Sequence, residues 1–292
     1  MEYVVIPSCI KDIDSYMKQG VNTFIVGLED FSINYPSVSL EKIKELSDKC
    51  NLFVSVNKNI FNSEISSLKD SLIELSKLNI LGVLFYDIGV LNIVLENKID
   101  INLVWHQTHM VTNYNTCNYY NSRGVKAAFL ANEITLEEIL EIKEKTNMEL
   151  MVEVFGYPIM SHSRRNLLSN YFKSINKEKE NRTYQLTDRE NSYLLKETKD
   201  GASILFGKLI NGTMPLFDLI NGGIDYLVLD MQEVDNDLSI KVLNKYLYVL
   251  NNYSDIGENE KDNIISDMND LIGDSTNFFY KKTIYKVKKG DK

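Results

Sequence analysis

Short runs of β-branched and aromatic residues alternate along this chain with longer stretches in which apolar side chains return every three or four positions. That alternation predicts repeated strand–helix units built around a parallel sheet. The first strand is read at Tyr3 to Pro7, followed by a helix that Asp12 caps and Gly20 closes, and the second strand at Thr23 to Gly27. Ser39 caps a helix with Leu40, Ile43 and Leu46 on one face, which ends near Cys50 before a strand over Leu52 to Val56. A helix around Leu68, Leu72, Ile73 and Leu75 precedes the fourth strand, Gly82 to Tyr86, and a short helix follows Gly89. Strands five and six are read at Asn102 to Trp105 and Ala127 to Leu130, and Thr135 with Glu138 forms a capping box for a helix that runs to Lys145. Strand seven is Leu150 to Val154. A polar, irregular stretch from about 173 to 199 then breaks the rhythm before Ile224 to Leu229 supplies the eighth strand.

Eight strands in this order predict an α/β fold, a TIM-like (β/α)₈ barrel occupying residues 1–292 as one domain, with an irregular insertion between strands seven and eight. An open doubly wound sheet is the rival on pattern alone. No GxGxxG or P-loop follows any strand, which weakens nucleotide-binding readings.

Composition narrows the class further. With 292 residues, 44% apolar and 25% charged, the chain can bury one large core and is not extensively disordered, any disordered tail being short. No apolar run reaches the roughly 18 residues of a membrane span, and Met1-Glu2-Tyr3-Val4 lacks the basic region of a signal peptide, so the cytoplasm is the expected compartment. Cys9, Cys50 and Cys117 have no CxxC spacing and read as reduced thiols. The net charge of -9 argues against binding nucleic acid over the whole surface, although a local basic site remains open. The six lysines within 281–292 read as a solvated basic tail.

In a barrel, chemistry gathers where strands end at their carboxyl termini. The chain's three histidines obey that rule: His106 and His109 follow strand five and His162 follows strand seven. Imidazole there serves as acid, base or hydrogen-bonding group. His106 and His109 form an HxxH pair that, with His162 and a carboxylate such as Asp87 or Asp230, would make a divalent-metal site; plain hydrogen-bonding residues of a pocket are the other reading. Arg164 and Arg165 offer planar forks for an anionic ligand, with Asn113 a further ligand-binding candidate. Glu29, Asp87, Glu133, Glu153 and Asp230 lie at or near strand ends, where paired carboxylates do acid–base work. There is no GxSxG elbow and no HExxH helix, and neither Cys9 nor Cys117 has an adjacent base.

Four blocks in fixed order resemble the U32 peptidase family: Gly20 to Ser32, Tyr86 to Leu91, Gly124 to Ile139, and the signature region Gly156 to Tyr171. The chain departs from that pattern at Ile159 and Asn166, where cluster-bearing members have cysteines, at Asn132, where the family has arginine, and at Thr108-His109-Met110, where it has Thr-Gln-Met. Without thiolates the resemblance implies no iron–sulfur cluster, and no other cofactor is expected. It implies one of two activities: collagenase-type, metal-dependent proteolysis, or a part in oxygen-independent hydroxylation. The short, cysteine-poor form is similar to bacterial members that form 5-hydroxyuridine at the wobble position of transfer RNA. On that reading a tRNA or small anionic ligand binds at the mouth through Arg164, Arg165 and the histidines, with His106, His109, His162, Glu133 and Asp230 as catalytic candidates. A noncatalytic subunit partnering a longer paralogue of the family is the remaining possibility.

Overall fold

A computed structural model describes residues 1–188 and 191–282 of the chain. Eight parallel strands close into a barrel: β1 (Glu2–Ile6), β2 (Thr23–Leu28), β4 (Asn51–Val56), β5 (Gly82–Phe85), β6 (Leu103–Trp105), β7 (Ala127–Phe129), β8 (Glu149–Gly156) and β14 (Tyr226–Asp230), with β3 (Ser37–Val38) a short addition beside β2. Closure comes from β1, which pairs with β14 through Val4 and Val228 on one side and with β2 through Val4 and Thr23 on the other.

Strand alternation divides the apolar residues into two populations. Val4, Ile25, Phe53, Leu84, Val104, Met151 and Val228 pack together inside the barrel, and their neighbours along each strand, such as Val5, Phe24, Val54, Phe85 and Leu227, pack outward in a separate cluster against the helices. The helices stay attached through apolar faces whose ends are satisfied by caps. Ser39 Oγ accepts from Lys42 N, and Thr135 and Glu138 exchange hydrogen bonds as a capping box. Tyr246, buried on the helix Asn236–Asn252, donates to the carbonyl of Val154 (2.9 Å) and holds that helix against β8.

Between the seventh and eighth barrel strands lies a second, smaller sheet. Its strands β9 (Ile159–Ser163), β10 (Tyr184–Asp188), β11 (Asn191–Thr198) and β12 (Gly201–Phe206) are antiparallel in the order β10-β11-β12-β9. A short helix, Leu167–Ser174, sits within it, and β13 (Ile210–Asn211) returns the chain to pair with β8. About half of the stretch 173–199, expected to be irregular, is therefore strand, in β10 and β11. Its alternation is diluted because both faces stay partly accessible, so Tyr184, Leu186 and Tyr193 stand beside uncharged polar residues such as Gln185, Thr187 and Ser192 without forming a buried apolar stripe.

The insertion is fastened to the barrel rim at several points. Glu233, after β14, accepts from Lys196 Nζ and Thr183 Oγ1, both at 2.6 Å. Ser203 Oγ donates to Asn34 (2.6 Å), and Lys199 pairs with Asp30 (3.1 Å).

Smaller differences from the sequence reading have local causes. Asp12 is the last residue of a 3₁₀ turn, Ile10–Asp12, and its side chain makes no cap hydrogen bond to the helix that follows. The helix placed after Gly89 begins earlier, at Ile88, because Asp87 caps it, and it runs to Asn97. Helices Thr213–Asn221 and Glu258–Ile272 were not anticipated. Of the basic tail at 281–292, the part from 283 onward lies outside the described residues. Among the described residues no helix is long and apolar enough to cross a membrane.

Glu197 provides a test of how the insertion is held. Its nearly buried carboxylate accepts the N–H groups of Leu168 and Ser169 and the Ser169 hydroxyl, which together satisfy the amino end of the helix Leu167–Ser174. Glu197→Ala is expected to lower amide-exchange protection in that helix by about tenfold or more, the worth of a charge-assisted hydrogen bond, and to leave the barrel strands unchanged. Hydrogen-exchange mass spectrometry reads both.

Candidate functional site

The barrel opens at the carboxyl ends of its strands into a cavity of about 760 Å³, walled on one side by the insertion and on another by the segment from Ser275 to Lys281. Its floor follows from the same alternation that fills the barrel. Two residues beyond the inward-facing Val104, Met151 and Val228 stand His106, Glu153 and Asp230, and Phe129 occupies the matching place on β7. A strand can change from apolar to polar in one step there, because the barrel interior gives way to the mouth.

His106 stacks on Phe129 (4.6 Å between ring centroids) and lies parallel to Tyr35 (6.2 Å). Enclosure lowers its pKa to about 4, so the ring is neutral at physiological pH, and its Nδ1 is buried without a hydrogen-bond partner. Glu153 and Asp230 titrate as a pair. Burial pushes Glu153 up to about 8, the charge of Asp230 pushes the same way, and a hydrogen bond from Asn132 Nδ2 to Oε2 (2.6 Å) opposes them. Burial also raises Asp230, to about 6, against hydrogen bonds from Gln232. Tyr35 is raised well above the usual phenol value, first by burial and then by both carboxylates. Gly156 makes room for the pair: its φ is +145°, and a Cβ there would lie 2.7 Å from Asp230 Cβ and 2.8 Å from Glu153 Oε1.

The walls are more polar and more open. His162 Nδ1 meets Ser203 Oγ at 2.8 Å, and Ser203 gives its own proton to Asn34, so the imidazole is the donor in that contact. Ser203 and His162 are thus not arranged as nucleophile and base. Burial lowers the pKa of His162. At the rim His109 Nδ1 pairs with Glu133 Oε1 (3.0 Å), both side chains being more than two-fifths exposed. Lys208 and Lys281 bring positive charge to the lining.

His106, His109, His162, Glu133 and Asp230 therefore share one cavity. The remaining candidates lie outside its lining. Arg164 is exposed, with its guanidinium over the Phe61 ring (4.0 Å), and Arg165 is exposed beside it. Asn113 and Asp87 are helix caps: Asn113 accepts from Thr116 N, and Asp87 from Gly89 N and Ile60 N. Glu29 faces solvent after β2. The HxxH spacing sends His106 to the floor and His109 to the rim, and among the described residues no group of three or more histidine, cysteine, aspartate or glutamate side chains is placed to hold a metal ion. An iron–sulfur cluster does not fit this cavity either, since none of the three cysteines lines it and Ile159 stands in its wall.

Sequence reasoning noted Glu153 among several carboxylates but missed its pairing with Asp230, and it missed Tyr35, Phe129 and Asn132 as lining groups. A signal was present: Glu153 is the single charged residue inside the otherwise apolar run Leu150 to Phe155. A charge in a strand buried on both sides marks a layer where the barrel needs one.

Comparison with known proteins bears on what such a cavity does. Residues 9–288 match the model of peptidase family U32. The chain is 28% identical over 307 residues to tRNA hydroxylation protein P2 of Bacillus subtilis (strain 168), covering 97% of this chain and 99% of that protein. It is 24% identical over 161 residues to tRNA hydroxylation protein P1 of the same organism, 52% of this chain and 38% of the relative. Among solved structures a U32 peptidase superposes with a TM-score of 0.50 at 14% identity, over 79% of this chain and 92% of that one, a likeness of fold.

The acid pair makes stability depend on pH. Glu153 holds its proton more tightly in the folded protein than in the unfolded chain, so its burial costs little near pH 4.5 and progressively more as pH rises to about 8, where the cost levels off. Glu153→Gln is accordingly expected to melt higher than the parent at pH 8–9, with the difference shrinking towards pH 5, in paired thermal melts. Gly156→Ala is expected to cost about 1–3 kcal/mol in chemical denaturation, because its Cβ meets both carboxylate residues and its φ suits only glycine.

Proposed function

The chain belongs to peptidase family U32, and we propose that it takes part in hydroxylation of transfer RNA, forming 5-hydroxyuridine at the wobble position in the cytoplasm, with the barrel mouth as the place where the ligand is held. The observation that carries this reading is similarity running from end to end of both chains to a protein named for tRNA hydroxylation. The cavity supports it, being large enough for a nucleotide and lined by histidine, carboxyl and aromatic groups.

The distribution of charge supports an RNA partner. Residues 157–209 carry ten lysines and arginines against six acidic residues, in a chain whose net charge is -9. The insertion is thus a basic module on an acidic barrel, placed at the mouth. Arg164 and Arg165 lie on it with Tyr171, which is 58% exposed, and these are residue types that contact phosphates and stack on bases. The arginines outside the cavity would position the RNA while the cavity receives the part that reacts.

The decisive experiment measures 5-hydroxyuridine and its derivatives in total tRNA by nucleoside mass spectrometry. Deletion of the gene in a strain without a paralogue is expected to abolish them and the intact gene to restore them; unchanged levels would refute the reading. Arg164→Ala combined with Arg165→Ala is expected to weaken tRNA binding and to reduce the slope of log affinity against log salt by about 1–2.

A further inference from the structure

The smaller sheet ends in an open edge. In the order β10-β11-β12-β9, β10 pairs with β11 on one side, and among the described residues no strand lies on its other side. At the opposite edge, β9 follows Pro158 and meets β12 through an irregular register, features that discourage further pairing. β10 has neither protection. Its register with β11 is unbroken from Tyr184 to Asp188, it contains no proline or lysine, and Leu186 is 51% exposed.

Which backbone groups face outward follows from the ladder. The carbonyl of Ser192 accepts from Gly207 N (2.7 Å), on the β12 side of β11. Ser192 opposite Thr187 is therefore a pair without mutual hydrogen bonds, and by alternation so is Leu194 opposite Gln185. Gln185 and Thr187 thus aim their N–H and C=O groups away from the sheet, and Thr183 stands at the next place in that alternation.

We propose that β10 pairs antiparallel with β10 of a second copy of this chain, about a two-fold axis at Gln185, joining two four-stranded sheets into one of eight. The sequence around that axis is self-complementary. Gln185 meets its own copy, Thr183 meets Thr187, Tyr184 meets Leu186 and Arg182 meets Asp188, so no like charges face each other. The glutamine and threonine pairs fall where backbone groups point outward, and this register makes the hydrogen bonds that β10 leaves unmade. Tyr184 with Leu186, and Arg182 with Asp188, are the close pairs in which side chains approach most nearly. Arg182 is on the required face, since its guanidinium lies over the Tyr184 ring (4.7 Å). Its partner within the chain, Glu180 (2.7 Å), forms with it a pair at least 60% exposed on both sides, which costs little to exchange. An axis at Leu186 would keep the ladder but set Tyr184 against Asp188; the charges select Gln185. Arg164 and Arg165 follow β9, at the opposite edge of the sheet, and the pairing is independent of what the cavity binds.

Sedimentation velocity of the full chain from micromolar to millimolar concentration is expected to show a reversible monomer–dimer equilibrium. Amide exchange at Gln185 and Thr187 is expected to slow as the dimer forms. Gln185→Pro removes an outward N–H that β11 does not use, so it is expected to abolish the dimer and keep the monomer folded, as its thermal melt checks. Arg182→Asp and Asp188→Arg each set like charges opposite one another and are expected to weaken association by about tenfold. Mixed in equal amounts, these two variants present opposite charges to each other at both contacts and are expected to form a heterodimer as tight as the parent dimer.

The pairing is overturned if the chain stays monomeric and the β10 amides exchange freely. Protection of those amides at every concentration would overturn it too, and would assign the edge to another segment of the same chain, such as 283–292. A dimer indifferent to Gln185→Pro, or charge variants that mixing does not rescue, would also overturn it.

Discussion

Parallel strands that close on themselves send every second side chain into one enclosed space, and each layer of that space must be filled by residues that tolerate one another. In this barrel the middle layers are aliphatic and aromatic, from Val4 and Ile25 through Met151 to Val228. One pleat further toward the carboxyl ends the requirement relaxes, and His106, Glu153 and Asp230 appear together. The acid pair is the consequence on which the chemistry of the site depends: two carboxyl groups with so little access to water cannot both ionise cheaply, so one retains its proton near neutral pH. Gly156 on β8 permits the approach, while Asn132 donates to Glu153 and Gln232 donates to both oxygens of Asp230.

The insertion changes what the barrel mouth can do. A bare barrel rim would leave the acid pair at the bottom of an open dish; the sheet β9 to β12 raises a wall and encloses a cavity of about 760 Å³. Its attachments through Glu233, Asn34 and Asp30 reach loops after two different barrel strands, so the wall is fixed relative to the floor. The same module carries the basic charge that the barrel lacks. Most of that charge lies outside the cavity, to whose lining the insertion gives one cation, Lys208.

Departure from the cluster-bearing pattern of family U32 is coherent with this floor. Where those members are expected to have cysteines, Ile159 lines the wall and Asn166 is exposed before a short helix. Asn132, standing where an arginine was expected, donates to Glu153 as a neutral group, whereas an arginine beside it would favour an ionised carboxylate.

The hydrophobic rhythm, the caps at Ser39 and Thr135 and the run of eight strands were legible in the sequence, because a barrel strand must be apolar on both faces and a helix must announce its ends locally. So was the expectation that His106, His109, His162, Glu133 and Asp230 lie at strand ends. What sequence order could not supply was distance across the barrel: Glu153 and Asp230 are separated by more than seventy residues and meet only because β8 and β14 are neighbours in register. Arg164 and Arg165 read as cavity residues because they follow strand seven, yet the antiparallel turn of β9 carries them past the rim to the outer surface. Local pattern thus determined the elements and the end of the barrel where polar groups collect. Which of those groups share a proton, and which face solvent, was decided by strand pairing, since burial and mutual charge exist only once the barrel has closed.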